Sequence, residues 1–93
     1  KMVKINFNEI YYIESIGDYL KIHLSSKSIV TRESISSMEA KLPYHDFLRI
    51  HRSYIVSIPK IESFTNEYIE VNKKALTISR SYKNEVSQRL GAV

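Results

Sequence analysis

The sequence predicts a mostly β fold of short, hairpin-connected strands with one or two short helices. Three observations carry this. Alternating or β-branched runs of four to eight residues recur along the chain, broken by turns rich in Ser, Asn, Asp and Lys. Helical spacing of apolar residues is clear in one segment and weaker in a second. With 93 residues, 43% of them hydrophobic, the chain can bury one modest core and is too short for two ordinary domains.

Taken in order, Val3, Ile5 and Phe7 alternate with Lys4 and Asn6 as a half-buried strand, and Asn8-Glu9 makes a bend. Ile10 to Ile13 reads as a second strand. Ser15 to Asp18 follows as a loop in which Gly17 is free to take a positive φ. Tyr19 to Leu24 alternates, with Leu20, Ile22 and Leu24 on the core side, and Ile29 to Arg32 returns as its hairpin partner. Ser34 is an N-cap for a helix whose stripe is Ile35, Met38 and Leu42, stopped by Pro43. After Ile58-Pro59 come Ile61 to Phe64, Tyr68 to Val71 and Ala75 to Ile78. The turn at Asn72 to Lys74 lacks the glycine that would make it strong. Ser81 caps a possible last helix with Tyr82, Val86 and Leu90 on one face.

The totals narrow the function classes. Cysteine is absent, which removes disulfide frameworks and thiolate metal sites and fits a reducing, cytoplasmic setting. No apolar run approaches the roughly 18 residues of a membrane-spanning helix. The net charge is +4 and unevenly spread: six Lys/Arg against five Asp/Glu up to Tyr44, eight against five from His45 onward. A cationic second half favours a polyanionic partner. The chain starts mid-pattern and without an initiator Met, so it reads as a piece of a longer protein.

Phe47 to Ser57, FLRIHRSYIVS, sets Arg49, His51, Arg52 and Ser53 among core-forming residues. In an extended strand Phe47, Arg49 and His51 share one side and Leu48, Ile50 and Arg52 the other, so a polar edge and an apolar underside can coexist. Ile78 to Tyr82 repeats the theme: a strand-like approach that delivers Arg80 between the hydroxyls of Ser79 and Ser81. Arginine can fork onto guanine or clamp a phosphate, and hydroxyls serve the backbone. Arg52 and Arg80, each at a strand end beside hydroxyls, are the candidate readers. Arg49 has two readings, phosphate contact or an ion pair with Glu14 or Glu33, and Arg32 is alike. His51 is either a satisfied strand histidine or a phosphate donor. Tyr19, Tyr54 and Tyr82 read as core or rim aromatics or as phosphate contacts through their hydroxyls. Lys21, Lys73, Lys74 and Lys83 are solvated unless the fold gathers them on one face. No HxH, HExxH, GxSxG or Gly-rich phosphate loop is present, so neither catalysis, a metal nor a cofactor is expected. The rival readings are a protein-interaction domain that pairs through strand edges and a single-stranded RNA binder with an aromatic β-face.

The order IYYIES, GDYLKIHL, IVTRESISSMEAKLP, FLRIHRSYIVS, ALTISRSY resembles the LytTR-type DNA-binding domain of bacterial response regulators from Ile5 to about Leu90. The resemblance implies elongated, mostly antiparallel β-sheets whose loops read two successive major grooves of double-stranded DNA. Its first reading loop corresponds to Ser15 to Tyr19, with Asp18 at the first base-contact position, Arg52 at the second and Arg80 at the third. The phosphate contacts expected around them are Ser15, Tyr19, Lys21, Arg49, His51, Ser53, Tyr54, Lys73, Lys74, Ser79, Ser81, Tyr82 and Lys83. Asp18 departs from members with a cationic or imidazole group there: either it accepts from a cytosine amino group or it makes no contact. Ser57 replaces the common Asn as a turn substitution. The resemblance also implies a strand upstream of Lys1, a receiver domain ahead of it, and phosphorylation-driven dimers on directly repeated sites, the isolated piece being monomeric.

Overall fold

A computed structural model describes residues 4–91, and in it every strand pairing is antiparallel. The larger sheet contains β1 (Tyr12–Ile16), β2 (Tyr19–His23), β3 (Ser28–Thr31), β4 (Phe47–His51) and β5 (Tyr54–Ser57), in the order β3-β2-β1-β5-β4. The smaller one is a meander of β6 (Ile61–Phe64), β7 (Tyr68–Val71) and β8 (Lys74–Thr77). Helix α1 (Ile35–Lys41) crosses between β3 and β4, and α2 (Lys83–Leu90) ends the described chain. The fold class expected from the sequence is the one observed.

Side-chain alternation divides the interior in two. Ile13, Leu20, Ile22, Phe47 and Ile55 leave one face of the large sheet and pack against Ile35 and Leu42 around α1. Tyr12, Leu48, Ile50 and Val56 leave the other and meet Ile69, Val71, Leu76 and Ile78 of the small sheet and Val86 of α2. The central strands are therefore covered on both faces. This corrects the expectation for β4, whose supposed polar side carries Phe47 into the core, while the Arg49 side chain is only 9% exposed. Burial, then the charge of Glu14 and Tyr54, pushes the Tyr12 hydroxyl above its ordinary range, so the ring stays neutral in the core.

The α1 helix follows its local signals. Ser34 Oγ accepts from Ser37 N at 3.1 Å, and the helix ends one residue before Leu42-Pro43. Lys41 reaches back to Glu33 at 2.6 Å and holds that carboxyl below its usual range.

The N-terminal strand does not form as expected. Val3 lies outside the described residues, and Phe7–Glu9 is a 3-10 turn closed where Asn6 N–H donates to the Glu9 carboxylate at 2.9 Å. That local bond offers the backbone an alternative to a sheet ladder. The next strand starts later and runs further than expected, to Ile16, leaving only Gly17-Asp18 as the turn. Gly17 takes φ +58° while Asp18 does not turn positive, the sign pattern of a type II′ hairpin with glycine first. Ser57 is not in a turn: it is buried at the end of β5, its N–H donating to Tyr11 O at 3.0 Å.

The molecule measures 44 × 23 × 21 Å. At the β7–β8 turn Asn72 and Lys73 both take positive φ, 50° and 63°, a type I′ turn made without glycine. Lys73→Gly is expected to raise unfolding free energy by about 1 kcal/mol, the usual cost of a side chain in the left-handed region, as read by urea denaturation.

Candidate nucleic-acid interface

Topology collects three turns along one edge of the large sheet. The Gly17-Asp18 turn joins β1 to β2, and the Arg52-Ser53 turn joins β4 to β5. Because β5 pairs with β1, these tips lie side by side, linked where Ser15 N–H donates to Ser53 O at 2.8 Å. The third turn, Arg80–Tyr82, docks on the far side of the second through Ser79 N–H to Ile50 O at 3.0 Å. With strands about 4.8 Å apart, neighbouring hairpin tips are spaced about 10 Å along the edge.

A bulge makes the second junction possible. Arg49 pairs with Ile55 but His51 pairs with Tyr54, so Ile50 is an extra residue in β4. Its carbonyl is released from the ladder and accepts from Ser79. Neither Arg52 nor Ser53 has a positive φ, so this two-residue turn lacks the hairpin-favoured I′ or II′ twist. Side chains hold it instead. Ser53 N–H donates to His51 Nδ1 at 3.0 Å, an accepting role for Nδ1 that leaves the Nε2 side of the ring as the donor.

Asp18, Arg52, Arg80 and Ser81 are exposed on these turns, and neither arginine has an ion-pair partner among the described residues. Ser15, His51, Ser53, Ser79 and Tyr82 are half-buried beside them, and exposed Tyr19 flanks the first turn. Lys83 stands next to the third turn, paired with Glu67 at 3.1 Å. Tyr54 tilts against His51, centroids 5.2 Å apart, and Lys21 is set back along β2 opposite Glu14.

Three expected phosphate contacts have other situations. Arg49 is spent inside the protein, bonding Glu39 rather than Glu14 or Glu33, together with the carbonyls of His51 and Arg52. Glu14 instead meets His23 Nε2 at 3.1 Å. Lys73 and Lys74 sit in and just after the β7–β8 turn, where Asn72 Nδ2 reaches Leu24 O at 3.5 Å. Leu24 lies past the end of β2 opposite the Gly17-Asp18 tip, so this pair belongs to the other end of the strands. The fold does not gather those two lysines with the arginines.

Arg32 is the side chain the sequence reading left undecided and the register places. Leu20 pairs with Thr31, so Arg32 follows at the same edge, exposed, its guanidinium 5.8 Å from the Tyr19 ring centroid. It shares a shallow recess of about 430 Å³ with Asp18 and Ser15. The usable signal was hairpin register, which puts the residue after β3 beside the residue that starts β2. Along this edge Glu33 is paired with Lys41 and Glu67 with Lys83, which leaves the exposed guanidinium groups of Arg32, Arg52 and Arg80 against the one carboxylate of Asp18, a cationic excess that suits an anionic polymer.

An antiparallel scaffold that offers turns at one end of its strands and lines them with guanidinium groups defines a loop-presenting β-domain. The chain belongs to the LytTr DNA-binding domain family, whose model matches residues 1–91. It is 27% identical over 95 residues to the sensory transduction protein LytT of Bacillus cereus, covering 96% of this chain and 39% of that protein. It is 29% identical over 93 residues to the sensory transduction protein LytR of Staphylococcus epidermidis, covering 94% and 37%. The haem-containing CO-sensing transcriptional regulator RcoM 2 of Paraburkholderia xenovorans is 25% identical over 100 residues, covering all of this chain and 38% of its own length. The chain thus spans about two fifths of these relatives. In fold it is similar to a solved LytTr DNA-binding domain from Bacillus cereus, with TM-score 0.84 at 23% identity over 96% of this chain and 87% of that one.

Because Arg52 and Arg80 are exposed and their side chains make no hydrogen bond or ion pair among the described residues, Arg52→Ala and Arg80→Ala are each expected to change unfolding free energy by less than about 0.5 kcal/mol. Thermal melts of the two variants check this.

Proposed function

We propose that this chain is the output domain of a bacterial two-component transcription regulator and binds double-stranded DNA sequence-specifically through the edge that carries Asp18, Arg52 and Arg80. The observation that carries the reading is the co-location of three exposed turns at one end of the strands of a LytTr-family domain. Arg52 and Arg80 act as base readers, each able to fork onto guanine O6 and N7. Asp18 accepts from a cytosine amino group, and Arg32 offsets the repulsion between that carboxylate and nearby phosphates. His51 Nε2, Ser53, Ser81 and Lys83 contact the backbone.

In the full protein we place a phosphorylatable receiver ahead of this domain and paired, directly repeated sites on the promoter, all in the cytoplasm. The isolated chain then occupies one half-site as a monomer, and weakly. A protein-interaction role through the open β3 edge is the remaining alternative, and a gel shift on a randomised duplex pool separates the two. No retained sequence above background would remove the DNA-reading function.

Arg80→Ala is expected to relax preference at one base position by about 1–3 kcal/mol. Equal losses on the selected and random duplexes would reassign Arg80 to a phosphate. With about five phosphates neutralised, the log–log dependence of affinity on salt should have a slope of roughly −4 to −5. Lys73→Ala should leave both affinity and slope unchanged.

A further inference from the structure

We propose that Arg49 is a positioning residue for base reading, one that locks the Arg52 turn and the Arg80 turn into a fixed relative geometry without touching DNA. The inference rests on the DNA-reading function above and adds a residue to it. Arg49 projects from β4 just ahead of the Ile50 bulge. Its Nε donates to His51 O at 2.7 Å and its Nη2 to Arg52 O at 2.7 Å, so one guanidinium spans both carbonyls at the start of the β4–β5 turn. Its Nη1 donates to Glu39 of α1 at 2.7 Å. The Tyr82 ring lies 5.7 Å from the same guanidinium carbon. Tyr82 closes the 3-10 turn that bears Arg80, its N–H donating to Ser79 O at 3.0 Å.

Two features make these contacts a device for holding geometry. The Arg52-Ser53 turn lacks the backbone twist that lets a two-residue hairpin hold its own shape, so its orientation depends on side-chain bonds. The Arg80 turn with which it must align is joined to β4, among the described residues, by one backbone bond, Ser79 N–H to Ile50 O. Base readers have to be held to within about 0.5 Å by residues that are themselves locked. Arg49 meets that condition: its side chain is 9% exposed, and every nitrogen of its guanidinium has a partner. A planar fork is what the site demands, and lysine, a point charge on a flexible stem, cannot reproduce it.

Arg49→Lys is the test, because it keeps the charge and removes the fork. Affinity is measured for the duplex selected from a randomised pool and for a random duplex, alongside amide exchange without DNA. The expected result is a tenfold or greater loss on the selected duplex, a change within twofold on the random one, an unchanged salt slope and faster exchange at Ser53 and Ser79. Combined with Arg52→Ala, the loss should fall short of the product of the separate losses, since both remove the same reading. Equal losses on both duplexes, or lysine restoring full discrimination, would overturn the proposal. Should Arg49→Lys fail to fold, Tyr82→Leu removes the aromatic face beside Arg49 and keeps an apolar side chain against the core, and a threefold or greater selective loss is expected from it; no selective loss would overturn the assignment. If the wild-type chain shows no preference for any duplex, the DNA-reading function fails instead, while exchange at Ser53 and Ser79 still decides whether Arg49 orders the two turns.

Discussion

A sheet covered on both faces can offer side chains to a partner only where its strands end. The β1, β4 and β5 strands lie between the α1 core and the core shared with the small sheet and α2. Whatever binds here has to be met by turns, and the chemistry of the turns follows from that restriction. The Arg52 guanidinium stays in solvent because β4 and β5, which flank it, have both faces covered, and Arg80 stays there because it sits in a 3-10 turn beyond β8. The same restriction explains why core and site residues alternate so tightly between Phe47 and Ser57. Apolar residues there satisfy two interiors at once, and polar ones are displaced to the tip.

Much of this was legible because the signals were local. Ser34, the Ile35-Met38-Leu42 stripe and Pro43 specify α1 within ten residues, and the structure adds only the Ser37 bond. Gly17 marks a hairpin wherever the flanking strands begin and end. What stayed hidden was non-local. The guanidinium of Arg49 finds Glu39 ten positions away across a helix–sheet contact, and no periodicity announces that. Arg32 joins the edge only through the β2–β3 register, and Lys73 leaves it only because β8 runs from the opposite end. The strand expected around Ile5 fails for a local reason that competes with alternation: Glu9 caps Asn6 and tightens the chain into a 3-10 turn.

Charge on this edge is arranged by two different means. Arg49 carries a full positive charge a short way from Arg52, yet its field is spent on Glu39 and on two carbonyl dipoles. Arg52 and Arg80 are exposed and have no ion-pair partner among the described residues. Arg49 and Arg52, three positions apart, thus differ in availability because one is desolvated and matched while the other is left exposed, a difference set by packing and invisible in a charge count. The family match covers residues 1–91, so the whole edge and its supports fall within one evolutionary unit.

Strand β3 forms the rim of the large sheet, and half of its amide and carbonyl groups face outward with no neighbouring strand among the described residues. Val30, 60% exposed, adds a greasy spot on that rim. Proteins discourage self-templated stacking at such places with brevity and flanking charge, and here the rim is four residues long between Lys27 and Arg32. Arg32 therefore answers to two demands at once, solubility and electrostatics. Retuning it toward a different operator by removing its charge would leave concentrated stocks prone to clumping, whereas an acidic replacement would keep them clear.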